Sequence, residues 1–220
     1  RARSREAPGV VTDSIKLVAF DLDGTLLRGD TVCEVIAREL GKLDRMREFE
    51  RYTSREDIAG GRREMAGWYD ATDDMTLLSY LPKTSTAPGV SETFDLLRRI
   101  GIKTAIVSIT WDFAVEWFAR RFGADFSIGT EYVPGGEGVG FWPEDNPTFV
   151  DRTAHALGIG MDQVAAVGDS SGDVPMLRAV GRSAFVGSVL PEAFTPDIHA
   201  PGGDILRIVK GLIGHSDVAQ

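Results

Sequence analysis

An apolar run, residues 17–20, stops at two acids spaced i and i+2, Asp21 and Asp23, with Gly24 and Thr25 directly behind them. Four apolar residues in succession, with no polar alternation, predict a strand covered by helices on both faces, as in a parallel sheet. Open α/β sheets place their ligands at the carboxyl ends of such strands. Two carboxylates there, on a turn whose glycine lets the backbone approach a ligand, concentrate negative charge at a crevice. That charge is costly without a cation, so a divalent metal is implied.

The rest of the chain supplies partners for this strand. Residues 31–40 have helical spacing through Val32, Val35, Ile36 and Leu40, and Gly41 reads as the stop. A charged segment, 42–57, continues as one or two helices, 62–69 adds another with Met65, Trp68 and Tyr69, and 75–81 is a further short helix. Together they make residues 29–86 a helical insertion lying over the strand end. From residue 87 onward helices and strands alternate: helix 89–99, strand 103–107, helix 111–122, short strand 125–128, a hairpin over 131–141, helix 148–157 with Asn146 as cap and Pro147 at its start, strand 164–167, helix 174–180, strand 184–186, an edge strand near Ile198 and helix 205–213. This alternation predicts an α/β fold, a Rossmann-like parallel sheet with right-handed crossovers. The core comprises residues 15–28 and 87–220.

The 220 residues suffice for a sizeable core, and the net charge of −9 argues against a general nucleic-acid or membrane-surface binder. One cysteine, Cys33, excludes an internal disulfide and suits a reducing cytoplasm. Residues 1–14 are mostly polar, with Pro8 and Gly9, and read as a loose tail without a signal-peptide run. Apolar stretches elsewhere are short and broken by charges, such as Lys210 within 205–213, so no membrane span is expected.

Three predicted strands end in polar groups: Asp21 and Asp23, then Ser108, then Asp169 with Asp173. Parallel strands bring those ends to one rim. Carboxylates gathered there form a hard oxygen site suited to Mg²⁺, and Ser108 can donate to an anionic oxygen. The combination points to phosphoryl transfer, in which a metal offsets the repulsion between a phosphate and a carboxylate nucleophile.

These residues resemble the haloacid dehalogenase superfamily. Asp21-Leu22-Asp23-Gly24-Thr25, Ser108 after its strand and Gly168-Asp169-Ser170-Ser171-Gly172-Asp173 look like its motifs one, two and four in order and separation, over almost the whole chain from Leu17. A helical insertion between motifs one and two is similar to the cap of the phosphoserine phosphatase branch. The resemblance implies that Asp21 attacks phosphorus and becomes an aspartyl phosphate, while Asp23 protonates the leaving oxygen and then activates water. It implies Mg²⁺ held by Asp21, the Asp23 carbonyl and Asp169, with Asp173 as a ligand or as a support for ligands. Asp173 also reads as a helix cap before Val174.

The resemblance also implies a small phosphorylated metabolite as substrate, bound through Ser108 and the backbone at Ile109. Ile109 and Thr110 stand where that branch has two glycines. The motif-three lysine has no counterpart, since no lysine lies between Lys103 and Lys210; Asn146 takes its place. Arg152, six residues on and roughly 120° round the helix, is the nearest cation. Spacing puts Asp30 and Arg63 where the branch holds the amino and carboxylate groups of its substrate, though Arg62 and Arg63 sit in a charged helix, where a solvated face is the favoured reading. The readings that stay open are a phosphatase for another small substrate, such as a sugar phosphate or phosphoethanolamine, and a catalytically weak protein that binds a ligand or partner. Oligomeric state is not legible in the sequence.

Overall fold

A computed structural model describes residues 14–135, 138 and 140–215. Strand β1 (Leu17–Phe20) leads through the short β2 (Leu27–Arg28) into four helices, α1 (Val32–Glu39), α2 (Leu43–Phe49), α3 (Arg55–Asp70) and α4 (Asp74–Tyr80). The chain returns along β3 (Ser85–Thr86), then continues as α5 (Val90–Arg99), β4 (Lys103–Trp111), α6 (Asp112–Phe122) and β5 (Phe126–Thr130). The last part comprises α7 (Asn146–Ala156), β6 (Val164–Gly168), α8 (Val174–Ala179), β7 (Arg182–Phe185), β8 (Ile198–His199) and α9 (Ile205–Ile213).

Among the described residues, six strands form a parallel sheet in the order β5-β4-β1-β6-β7-β8. β1 is central, and Phe20 pairs with Ile106 on one side and Val167 on the other. Residues just beyond these partners therefore share a rim, which is how Asp21, Ser108 and Asp169 meet. The unbroken apolar run has its explanation in the two faces. Val18 and Phe20 pack with Phe94, Phe118 and Val209 of α5, α6 and α9, whereas Leu17 and Ala19 pack with Val150, Ala154 and Leu177 of α7 and α8.

β2 and β3 pair antiparallel at the base of the insertion, a ribbon of two residues per strand that is too short to carry a periodic signal. The insertion shares its apolar packing with one face of the core, through Ile36, Met46, Phe49, Met65, Tyr69 and Leu77. Tyr69 is fully buried and meets Trp111, Phe113 and Tyr132 edge-on, at 5.7, 5.8 and 5.8 Å between ring centroids. We expect Tyr69→Ala to destabilise the protein by about 3–5 kcal/mol, the range for emptying a buried aromatic site. Urea unfolding measures it.

Several elements differ from the expectations. α3 is one helix of 16 residues, capped by the Ser54 hydroxyl, which accepts from the Asp57 N–H at 3.0 Å. It runs through Gly60 and Gly61, and the Phe49 ring packs on its backbone at Gly61, where a Cβ would lie 3.1 Å from Phe49 Cγ. β4 extends to Trp111 with a register shift after Val107, so Ser108 lies in an irregular stretch of the strand rather than beyond it. Of the expected hairpin over 131–141, residues 136, 137 and 139 lie outside the described residues, and the others form no strand. Residues 1–13 of the expected tail also lie outside them. No helix among the described residues is long and apolar enough to cross a membrane.

Candidate active site

The rim gathers acids at the end of β1 and after β6. Asp21, Asp169 and Asp173 each offer a carboxylate oxygen within 4.8 Å of the others. Asp21 is buried, and its Oδ2 has no hydrogen-bond partner. Burial pushes the Asp21 carboxyl well above the usual range, and repulsion from Asp173, Asp169 and Asp23 adds to the shift. Asp173 is pushed up to about 6 by burial and by Asp169, although the Ser170 and Asp169 N–H groups donate to its Oδ2 at 2.9 and 3.0 Å. Its side chain thus holds the preceding loop and makes no capping bond to α8. Burial also raises Asp169, opposed by the Thr25 hydroxyl, which donates to its Oδ1 at 3.3 Å, and by the charge of Arg28.

Converging buried oxygens with raised pKa values, one of them unpartnered, fit a hard divalent cation, which would remove their mutual repulsion. Gly24 makes the convergence possible. Its φ is +83°, and a Cβ there would lie 2.2 Å from Asp169 Oδ2. Gly24→Ala should therefore weaken Mg²⁺ binding about 10–100-fold by displacing Asp169, as read by calorimetric titration. Unchanged affinity would contradict this packing.

Asp23 points elsewhere. Its Oδ1 accepts the Val32 N–H at 2.8 Å, so the carboxylate sits at the N-terminus of α1, separate from the three converging acids. α1 is fixed there by a reciprocal pair: the Thr31 hydroxyl accepts from the Glu34 N–H, and the Glu34 carboxylate accepts from the Thr31 N–H. Burial pushes Asp23 up to about 7, with Glu50 adding and the Val32 N–H opposing. A carboxyl titrating there can both give and take a proton near neutrality.

Above the acids lies a cavity of about 550 Å³ that Asp21, Asp23, Ser108, Ile109, Asn146, Asp169 and Asp173 all line. Ser108 is buried, and its Oγ accepts from the Thr110 N–H at 3.3 Å. The Ile109 carbonyl accepts from the Thr130 hydroxyl at 2.7 Å and from Arg62 Nη2 at 3.4 Å, while its side chain is exposed. Asn146 lies in the first turn of α7, buried, with Oδ1 unpartnered. Cys33 and Thr110 are also on the wall, Sγ to Oγ1 at 3.4 Å, and burial pushes the thiol up to about 12, so it stays protonated.

Three residues expected at the site do not line this cavity. Arg152 is exposed on α7. Asp30 turns to Arg38, its carboxylate accepting from Nη2 at 2.6 Å. Arg63 is exposed and borders a neighbouring cavity of about 230 Å³. Arg62 lines both cavities in its place, with Nη2 donating to the Phe141 carbonyl at 3.0 Å and the guanidinium 4.5 Å from the Trp142 ring centroid. Helical phase carries the signal for this choice. At about 100° per residue, Gly61, Met65 and Tyr69 fall at about 0°, 40° and 80°, Arg62 at about 100° and Arg63 at about 200°.

Arg28 is a further residue that spacing did not single out. It stands on β2 with Nε and Nη2 buried and unpartnered, and its charge acts favourably on Asp169 and Asp21.

Residues 18–178 match the family model described as haloacid dehalogenase-like hydrolase. The phosphoserine phosphatase of Methanocaldococcus jannaschii is 26% identical over 213 residues, spanning 89% of this chain and 96% of the relative. That of Albidiferax ferrireducens is 26% identical over 192 residues, spanning 80% and 81%. Among solved structures, a phospho-aspartyl intermediate analogue of phosphoserine phosphatase superposes with a TM-score of 0.75 at 21% identity, over 91% of this chain and all of that one. A haloacid dehalogenase family hydrolase from Salmonella enterica serovar Typhi gives 0.77 at 19% identity, over 92% and 72%. At these identities the structures share the fold.

Proposed function

We propose that this chain, which belongs to the haloacid dehalogenase-like hydrolase family, is a Mg²⁺-dependent phosphomonoesterase that works through an aspartyl phosphate on a small phosphorylated metabolite. The observation that carries this reading is the pairing of Asp21, whose buried Oδ2 has no partner, with Asp23, a separate carboxyl titrating at about 7, under one cavity. The relatives named phosphoserine phosphatase support it.

Asp21 attacks phosphorus, forming its own O–P bond while the ester P–O bond breaks. The proton on Asp23 goes to the leaving oxygen. Asp23, now a carboxylate, takes a proton from water as that water attacks phosphorus, and the bond to Asp21 breaks to release phosphate and restore both acids. The Val32 N–H fixes Asp23 in place for both transfers. Asp21, Asp169, Asp173 and the Asp23 carbonyl would hold Mg²⁺, which supplies charge to offset the repulsion between phosphate and carboxylate.

Ser108 and the amide of Asn146 donate to phosphate oxygens from the cavity wall. Asn146 brings no charge, and Arg28 supplies positive potential from the flank of Asp169. Residues 29–86 act as a cap over a core of residues 15–28 and 87–220, and a reducing cytoplasm suits a chain whose one cysteine is a free thiol. Hydrolysis of p-nitrophenyl phosphate tests the reading. Turnover should need Mg²⁺ and stop on chelation; turnover indifferent to metal would reject it, and no turnover of any phosphomonoester would favour a ligand-binding role.

A further inference from the structure

Resting on the phosphomonoesterase reading, we propose that Thr130 is a positioning residue: its hydroxyl fixes the Ile109–Thr110 peptide, which in turn aims the proton of Ser108 at the phosphate. The register of β4 against β5 creates the need for it. Val107 pairs with Ile128 and Trp111 with Thr130, so residues 108–110 stand opposite Gly129 alone. Such a bulge lifts its peptides out of the ladder, and their polar groups must find other partners. Gly129 lets the bulge close down on β5, since a Cβ there would lie 2.8 Å from the Thr110 carbonyl oxygen. Thr130 follows directly and meets the bulge.

Side chains take both ends of the Ile109–Thr110 peptide. Thr130, buried, donates from Oγ1 to the Ile109 carbonyl at 2.7 Å, while the Thr110 N–H donates to Ser108 Oγ at 3.3 Å. A second donor, Arg62 Nη2, comes only to 3.4 Å from the same carbonyl and makes its shorter bond, 3.0 Å, to the carbonyl of Phe141. A serine oxygen that accepts on one side keeps one proton to give on the other. Among the described residues nothing receives that proton, and Ser108 lines the cavity over the acids. The direction left for it is toward a phosphate oxygen beside Asp21. Donation by Thr130 also polarises the peptide and strengthens its N–H as a donor to Ser108, as hydrogen bonds in series do. Thr130 does not itself line that cavity, so its effect on the reaction passes through Ser108.

A double-mutant cycle in the Mg²⁺-loaded protein tests this. Thr130→Val keeps the shape and removes the donor. Both kcat/KM for p-nitrophenyl phosphate and the calorimetric affinity for inorganic phosphate should fall about tenfold, the scale of an acceptor left unpaired. Thr130→Ser should restore both. In a Ser108→Ala background Thr130→Val should change neither by more than about twofold, because Thr130 then has no hydroxyl to orient. Thr130→Cys, whose thiol donates only weakly, carries the same comparison should Thr130→Val not fold. Parental values in Thr130→Val, or an equal loss with and without Ser108, would overturn the proposal while the phosphatase reading stands. In a protein that hydrolyses no phosphomonoester that reading falls, and phosphate affinity alone decides the proposal: a loss seen only where Ser108 is present supports it, and an equal loss or none overturns it. A protein that neither hydrolyses a phosphomonoester nor binds phosphate would remove both.

Discussion

Asp21→Asn is expected to lower hydrolysis by about 10⁴-fold or more, the scale on which removal of a covalent nucleophile acts, and at the same time to raise the melting temperature of the metal-free protein. The two effects share one cause. Asp21 is buried beside Asp173, Asp169 and Asp23, each of which raises its pKa, and its Oδ2 finds no donor. Asparagine keeps the shape and removes the charge. Each kcal/mol of relieved repulsion should appear as about 2–4 °C in a domain of this size. A variant that lost activity by misfolding would melt lower, so thermal unfolding beside the assay separates the explanations. Activity within about tenfold of the parent would exclude Asp21 as nucleophile.

The second large effect is a pH-dependent response to Mg²⁺. Asp173 and Asp23 titrate at about 6 and about 7 in the folded protein, above the ordinary carboxylate value of 3.8. A raised folded-state pKa means that the native state binds more protons than the unfolded chain between the two values. The stability these groups contribute is therefore full below pH 3.8 and is lost as pH rises through 6 and 7. Divalent metal reverses this, since it binds the deprotonated acids and is displaced by protons. The Mg²⁺-induced rise in melting temperature should be small at pH 5 and large at pH 8. Comparing the increment with and without metal at each pH cancels groups titrating elsewhere. An equal increment at both values, or a larger one at pH 5, would contradict the geometry of the acid cluster.

The parallel sheet was legible because β1, β6 and residues 105–107 of β4 are buried on both faces and are therefore spelled as unbroken apolar runs followed by polar residues. That spelling places Asp21, Ser108 and Asp169 at one rim from the sequence alone. Features decided by tertiary contact were less legible. The β2–β3 ribbon is too short for a period, and α3 crosses two successive glycines, Gly60 and Gly61, with Phe49 packed against the second.

The insertion shows the same limit at single-residue scale. Arg62 and Arg63 are adjacent in sequence but about 100° apart on α3, and the packing of Met65 and Tyr69 decides which one lines the cavity. Asp30 was drawn away by Arg38, eight residues along, and Arg152 lies on the solvent side of a helix whose first turn buries Asn146. Arg28 had no motif to mark it. Its relation to Asp169 arises from how the chain turns after Gly24.

The most direct test of the account is to trap the covalent step. The Mg²⁺-loaded protein turning over p-nitrophenyl phosphate would be quenched in acid, where an acyl phosphate survives, and its peptides weighed. The account predicts one phosphoryl group on the peptide containing Asp21, absent in Asp21→Asn and enriched in Asp23→Asn, where the water that would release it lacks its base. Steady turnover with no phosphorylated Asp21, or with the phosphoryl group on another residue, would contradict it.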